Sequence, residues 1–289
     1  MISSVSGSTV ICGLIGNPVA HSISPAMQNA AFIHAGLDYL YVPFQVTSEA
    51  LADAVKGMRA LNIRGLNVTM PHKVSVIPFL NETDSLAAKI GAVNTIVNDN
   101  GFLKGYNTDA MGFMQVLTDR GFNVAGKKVA VLGAGGVARA ITFALADKGA
   151  ELTIINRHQE FDWALNLAGK ITQSFHRQVG ALELNDENLA KTVPEAELLV
   201  NATSAGMTPD IDETPVPARF LRQGLIVYDV IYNPLATRLL REAKKTGAQA
   251  IGGLDMLVGQ GALAFAKWTG QPAPVDIMKE AAIRELRGN

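Results

Sequence analysis

Three groups of residues in this sequence have the types and spacing to do chemistry. Lys73 ends the run Asn67-Val-Thr-Met-Pro-His-Lys73. Pro71 suits the first turn of a helix, and Val74, Ile77 and Leu80 follow at helical spacing. That pattern predicts a helix with Lys73 near its positive end, where a cation is mildly disfavoured. Either Lys73 is an ordinary solvated lysine, the commonest state of that residue, or it is placed there to do chemistry. Upstream, Gly16-Asn-Pro-Val-Ala-His-Ser22-Ile-Ser24-Pro25 brings two hydroxyls to a predicted helix start. Ser24 reads as an N-cap with Pro25 at the first helical position, and Gly36 ends that helix. Capping accounts for Ser24 but not for Ser22, and two hydroxyls beside a positive helix end suit a carboxylate ligand.

The third group is a glycine-rich loop. Lys127-Lys-Val-Ala-Val-Leu-Gly133-Ala134-Gly135-Gly136-Val137-Ala138 is a strand entering a GxGxxA turn, followed by a helix with Ile141 and Leu145 on one face and Gly149 at its end. Gly133 permits the tight turn, Gly135 lets backbone approach a pyrophosphate, and the small Ala138 permits close helix–strand packing. The helix N-terminus supplies N–H donors and positive potential. A lone GxGxxG is weak evidence, but strand, helix and later strands are all present here. The second strand ends Ile154-Ile155-Asn156-Arg157-His158. An acid at that point would bond the ribose 2′-hydroxyl of NAD, whereas an amide followed by a guanidinium suits the 2′-phosphate of NADP. The plain alternative is a solvated strand-end arginine. Glu160 opposes a phosphate if it points inward, so NAD stays open as a second cofactor. The pattern GxxxxGK[ST] is absent, which disfavours a kinase or ATPase.

These groups need elements to hold them. In the first hundred residues, 10–15, 39–45 and 65–68 read as strands, separated by helical segments around 25–35 and 48–60. Runs 92–98 and 101–106 flank Asp99-Asn100-Gly101, where Asn-Gly favours a tight hairpin turn. From Gly126 onward the continuous apolar runs 128–132, 152–155, 198–201 and 225–230 alternate with helical patterns. Such strands argue for a parallel sheet covered on both faces, the doubly wound architecture. The segment 209–217, with three prolines and three acids, reads as an exposed loop, and after Gly252-Gly253 the chain turns helical to its end.

Composition narrows the function classes. A chain of 289 residues leans toward two domains. With 48% hydrophobic and 18% charged residues and a formal net charge of -1, it has no basic field for nucleic acid or a membrane surface. Small molecules are the expected partners. Cys12, the single cysteine, rules out an internal disulfide and fits a reducing compartment, while the N-terminus lacks a signal-peptide pattern, so cytoplasm is expected. The five histidines show no ligand spacing, and no metal is expected.

Taken together, "GNPVAHSISP", "NVTMPHK", "GAVNT", "GYNTDAMGF", "GAGGVARA", "NATSAGM", "YNP" and "GQGALAF" resemble the shikimate dehydrogenases and their quinate/shikimate relatives, in order and over nearly the whole chain. The resemblance implies a two-domain α/β protein. A substrate-binding domain of residues 1–108 is completed by C-terminal helices in 253–289, around a Rossmann domain of residues 109–252. It implies NADP-dependent, reversible reduction of 3-dehydroshikimate to shikimate, in aromatic amino acid (chorismate) biosynthesis, by a monomer or homodimer. Lys73 then matches the catalytic lysine and Asp109 its partner carboxylate, although Asp109 otherwise reads as a cap for the next helix. Ser22 and Ser24 match the substrate-carboxylate pair. Asn67, Thr69, Asn94 and Gln260 match residues that bind ring hydroxyls, and Tyr232 a substrate-side tyrosine. Gly133, Ala134, Gly135, Gly136, Val137, Ala138, Asn156, Arg157 and His158 fall on the cofactor side, with Thr203, Ala205 and Met207 lining the nicotinamide and Gly253 leading back to the substrate domain. Alternatives are a dual-specificity quinate/shikimate dehydrogenase using NAD or NADP, a non-catalytic NADP-binding regulatory protein, and a folate-linked dehydrogenase, which the Ser-Xaa-Ser pair and "GYNTD" disfavour.

Overall fold

Apolar, β-branched runs punctuated by amphipathic segments build two six-stranded sheets, each in its own unit of the chain. The computed structural model describes residues 5–288. One unit comprises the residues up to Gly112 together with those from Val258 on, and the other Phe113–Leu257.

In the first unit the strands are β1 (Val10–Gly16), β2 (Tyr39–Gln45), β3 (Gly65–Val68), β4 (Glu82–Thr83), β5 (Thr95–Asp99) and β6 (Phe102–Tyr106), with helices α1 (Ser24–His34), α2 (Leu51–Ala60) and α3 (Ser85–Ile90). The sheet order is β2-β1-β3-β5-β6-β4. β1 pairs in parallel with β2 and β3, and the sheet turns antiparallel at β3–β5–β6. The hairpin tip has Asn100 at φ 51° and Gly101 at φ 93°, as the Asn-Gly pair predicts. A core of Ile15, Val55, Met58, Leu66, Val93, Ile96 and Leu103 fills one face. Helices α9 (Leu254–Thr269) and α10 (Val275–Gly288) end the chain. The end of α9 is fastened to the sheet by polar bonds as well as packing: the Trp268 indole donates to the Ile96 carbonyl at 3.0 Å, and Arg64 Nε donates to the Trp268 carbonyl at 2.9 Å.

The second unit carries β7 (Lys128–Leu132), β8 (Glu151–Asn156), β9 (Gly180–Glu183), β10 (Leu198–Asn201), β11 (Ile226–Asp229) and β12 (Gln249–Ile251). Helices α5 (Gly136–Asp147), α6 (Phe161–Phe175), α7 (Asp186–Thr192) and α8 (Arg238–Lys245) belong to it, and α4 (Asp109–Asp119) begins in the first unit and ends in the second. All neighbouring strands are parallel, in the order β12-β11-β10-β7-β8-β9. The order reverses between β7 and β10, and in such sheets ligands bind beyond the carboxyl ends of the strands at that point.

Three expectations are corrected. Residues 71–80 do not form an α-helix: turns carry the chain to a 3₁₀ turn at Ile77–Phe79. One bond of helical span forms, Val76 N to the His72 carbonyl at 3.0 Å. Pro78 then stops propagation, because it has no N–H and its ring would collide with the Val74 carbonyl. Lys73 therefore sits on a turn and not on a helix N-terminus. Ser24 is not an N-cap either, since α1 begins at Ser24 and the capping position is Ile23, already helical at φ -87° and ψ -4°. It is Ser22 whose hydroxyl accepts from the Ser24 amide, at 3.3 Å, in the short-range manner of serine turns. Finally, 209–213 is exposed, but Val216 is fully buried in the core of the second unit with Leu132, Leu199 and Val227, so the loop is anchored at its end.

Candidate active site

In the first unit the site is built where β1 and β3 end and the antiparallel β5 begins. The turn after β3 is pinned from two sides. The buried His72 ring holds the Val46 carbonyl through Nε2 at 2.7 Å, and the Lys73 carbonyl accepts from the Val93 amide at 2.7 Å. Lys73 is thereby fixed so that its Nζ donates to Asp109 Oδ2 at 2.7 Å, with side chains only 11% and 7% exposed. Asp109 is the first residue of α4, yet capping is done by its neighbour: the Asn107 side chain accepts from the Ala110 amide at 3.3 Å. The Asp109 carboxylate is thus left to the lysine. A buried pair of this kind is not an efficient way to gain stability, because desolvating both charges costs about as much as their attraction returns. Its burial points to a chemical reason rather than a structural one.

Beside the pair runs a chain of buried amides and hydroxyls. The Tyr41 phenol donates to Asn67 Oδ1 at 2.8 Å, and Asn67 Nδ2 donates to Thr95 Oγ1 at 3.2 Å and to the Asn94 carbonyl at 3.3 Å. Asn94 Oδ1 accepts from the Thr108 amide at 2.8 Å, and its Nδ2 donates to Thr108 Oγ1 at 2.9 Å and to Gln260 Oε1 at 3.5 Å. Ser24 is buried, and burial pushes the Tyr41 phenol pKa well up, so Tyr41 stays a neutral donor. Thr69 follows β3, its amide on the Ile15 carbonyl at 2.9 Å. Asn67, Asn94 and Gln260 are therefore joined in one network, Ser22 sits beside Ser24, and Lys73 sits beside Asp109. Tyr41, Thr95 and Thr108 are members of this network that the sequence reading did not single out. Two of them lie inside "GAVNT" and "GYNTD", next to residues it did name. Tyr41 lies in an ordinary strand and carries no signal.

In the second unit the GxGxxA turn follows β7, and the Thr203–Met207 loop follows β10, so both lie beyond the carboxyl ends of strands at the switch point. Gly133 has φ +101°, and a Cβ there would come 3.0 Å from the Ala202 carbonyl and 3.2 Å from Thr203 Cγ2, so the two loops touch across this glycine. A Cβ on Gly135 would meet nothing within 4 Å. Open space thus lies in front of a 12-residue helix whose N-cap is Gly135, and Ala134 and Ala138 are buried behind it. This cradle fits a dinucleotide pyrophosphate. Arg139, one turn into α5, is half-buried with no carboxylate in salt-bridge reach among the described residues, and burial pushes its pKa down. No motif in the sequence singles it out. Asn156 donates to the Glu160 carbonyl at 2.7 Å, Arg157 is ion-paired with Glu160, and His158 lies 3.1 Å from Glu183. Tyr232 is partly buried after β11, with its phenol pKa pushed up by desolvation. Gly253 packs against backbone, where a Cβ would lie 2.0 Å from the Val230 carbonyl.

Asp229, at the end of β11, ties these loops together. It is 0% exposed. Its Oδ1 accepts from Asn201 Nδ2 at 3.1 Å and the Ile231 amide at 3.2 Å, and its Oδ2 accepts from Thr237 Oγ1 at 2.6 Å. Asn201 in turn accepts from the Thr203 hydroxyl at 2.7 Å, and Thr237 caps α8. Burial outweighs these three bonds and raises the Asp229 carboxyl from 3.8 to about 6. Between those values the folded protein binds more protons than the unfolded chain. Stability from this group is therefore fully present below pH 3.8 and falls as pH rises through about 6, by ~3 kcal/mol. In Asp229→Asn that dependence should vanish, so that protection of β10 and β11 amides, relative to wild type, improves by ~2–3 kcal/mol from pH 4 to pH 7. A difference that stays flat with pH would mean that Asp229 titrates like an exposed carboxylate.

Among the described residues, no group of three or more His, Cys, Asp or Glu side chains is placed to hold a metal ion. Residues 14–96 match the family model described as the shikimate dehydrogenase substrate binding domain. Residues 116–216 match shikimate/quinate 5-dehydrogenase, and residues 253–283 the shikimate 5′-dehydrogenase C-terminal domain. A protein of Dehalococcoides mccartyi named shikimate dehydrogenase (NADP(+)) is 49% identical over 277 residues, covering 96% of each chain. Among solved structures, a shikimate dehydrogenase in complex with NADP+ superposes with a TM-score of 0.91 at 43% identity, covering 98% of both chains. Shikimate 5-dehydrogenase of Listeria monocytogenes, in complex with shikimate and NAD, gives 0.89 at 42% identity, covering 97% of this chain and 98% of that one.

Proposed function

The chain belongs to the shikimate dehydrogenase family, and from that premise we propose that it reduces 3-dehydroshikimate reversibly to shikimate with NADPH, using Lys73 and Asp109 as its acid–base pair. The observation that supports the pair most directly is its burial at 2.7 Å on a turn held from two sides. NADPH, when bound, supplies the hydride. As negative charge develops on the ketone oxygen, the Lys73 ammonium donates the proton, and in the oxidative direction neutral Lys73 takes it back. Asp109 orients the lysine and holds its charge next to the reacting oxygen. Ser22 and Ser24 hold the ring carboxylate, while Asn67, Thr69, Asn94 and Gln260 bind the ring hydroxyls, the Asn67 and Asn94 amides already oriented by Tyr41, Thr95 and Thr108. Tyr232 is a substrate-side tyrosine. Residues 1–108 and 253–289 form the substrate-binding domain and 109–252 the dinucleotide-binding domain. On the cofactor side, Gly133 to Ala138 seat the pyrophosphate, Asn156, Arg157 and His158 meet the adenosine ribose, and Thr203, Ala205 and Met207 border the nicotinamide.

Its partners are small molecules, and no helix among the described residues is long and apolar enough to cross a membrane. We place the protein in the cytoplasm on its single, unpaired cysteine, buried Cys12. Dual cofactor use is a second reading, favoured by the ion pair that Glu160 makes with Arg157.

Initial rates of nicotinamide reduction with shikimate or quinate, each with NADP+ or NAD+, test this. The expected result is the highest kcat/KM for shikimate with NADP+. Comparable rates with quinate or NAD+ would move the protein to the dual-specificity branch. No turnover of any pair by folded protein would sink the enzymatic reading in favour of a non-catalytic NADP-binding protein.

A further inference from the structure

The basic residues at the end of β8 are both engaged by acids of their own unit. Arg157 Nε donates to Glu160 Oε2 at 2.9 Å while Nη2 donates to Oε1, a two-pronged contact of the kind a guanidinium makes with a phosphate. His158 faces Glu183 at 3.1 Å. Arg157 is 64% exposed and Glu160 26%, so the guanidinium stands in solvent with its fork already filled. The geometry is built in locally. The Glu160 amide donates to the Arg157 carbonyl at 3.0 Å, and the Glu160 carbonyl accepts from Asn156 at 2.7 Å, which closes the 3₁₀ turn His158–Glu160 and aims its side chain back at Arg157. Arg157 in turn holds the Glu160 carboxyl below its ordinary range, so the acid is charged at working pH.

We propose that Glu160 is an internal competitor for the 2′-phosphate of NADP: its carboxylate occupies the donors of Arg157 and must be displaced by NADP but not by NAD. This rests on the cofactor reading above and adds a specificity-determining residue to it. A phosphate carries more charge and more acceptor oxygens than a carboxylate, so it wins the exchange. An exposed pair offers little resistance, because solvent screens it. The cost is that the displaced carboxylate stays on the same short turn, near the incoming negative charge. NADP binding is therefore weakened while NAD binding, which needs neither donor, is not, and discrimination between the two narrows.

Equilibrium titrations by calorimetry test this with NADP+, NAD+, adenosine 2′,5′-bisphosphate and AMP, on wild type, Glu160→Gln, Arg157→Ala and the double variant. In Glu160→Gln, the two 2′-phosphorylated ligands should bind ~10-fold tighter, with NAD+ and AMP changed less than ~2-fold. With Arg157 replaced, the gain from Glu160→Gln should shrink to less than ~2-fold, because the donors competed for are gone. Unchanged NADP+ affinity in Glu160→Gln, or equal tightening of NAD+, overturns the role of Glu160 while leaving the cofactor reading intact. Wild type that binds none of the four nucleotides overturns both. Melting temperatures within a few degrees of wild type show that the exposed substitutions left the fold unchanged.

Discussion

Replacing Lys73 by alanine is expected to lower kcat for shikimate oxidation by at least ~100-fold with only a modest change in KM, because the group that moves the alcohol proton is removed while the carboxylate- and hydroxyl-binding residues remain. The expectation has a structural side as well. Asp109, 7% exposed, loses its cation in this variant. A buried charge stripped of its partner destabilises by ~3–5 kcal/mol, so loss of activity in Lys73→Ala alone could be misread as unfolding. Lys73→Arg separates the two effects. The guanidinium keeps a positive charge against Asp109 but does not release its proton at working pH. It should recover much of the stability and little of the rate. Steady-state kinetics with melting curves on both variants decide it. A Lys73→Ala enzyme within ~3-fold of wild-type kcat would remove Lys73 from the proton path, leaving the pair as a structural contact. The stability pattern would then be the only one that survives.

How much of this was legible beforehand depended on burial. Strands covered on both faces announce themselves as unbroken apolar runs, and Leu198–Asn201 and Lys128–Leu132 have the predicted bounds. The edge strands do not. Gly180–Glu183 and Gln249–Ile251 lie at the two ends of the second sheet, are half wet, and contain too few apolar residues to stand out. At 71–80 the apolar spacing was read as helical while Pro78, inside the span, forbade it. The glycine-rich turn and Arg157 could be found because their physics is local to a strand–turn–helix. The amide network could not, since Tyr41, Thr95, Thr108 and Gln260 meet only after four distant segments come together. Pairing of Arg157 with Glu160, three residues on, was within reach of the sequence, but its bidentate geometry depends on the 3₁₀ turn that the residues 158–160 adopt.

Gly135→Val is the second large effect, and its value lies in what should not change. Gly135 has φ -74° and ψ -171°, extended backbone that any residue adopts, and a Cβ built there meets no atom within 4 Å. Valine therefore costs the folded protein little, in contrast to Gly133, where φ is +101° and the Ala202 carbonyl stands 3.0 Å from the new carbon. The space that valine fills is the approach to the first amides of α5, which the parallel sheet's switch point reserves for a pyrophosphate. Steric exclusion at that distance acts on NADP+ and NAD+ alike, since both carry the same diphosphate. The expected outcome is a loss of at least ~100-fold in affinity for both dinucleotides with a melting temperature close to wild type, because the backbone amides can no longer reach the phosphate oxygens. Shikimate binding to the first unit should persist, measurable as saturation transfer from the protein to the ligand without any nucleotide. If Gly135→Val binds NADP+ as tightly as wild type, the dinucleotide does not sit on this turn. If it loses NADP+ while keeping NAD+, the open space belongs to the 2′-phosphate, and the roles given to Gly135 and Arg157 would have to be exchanged.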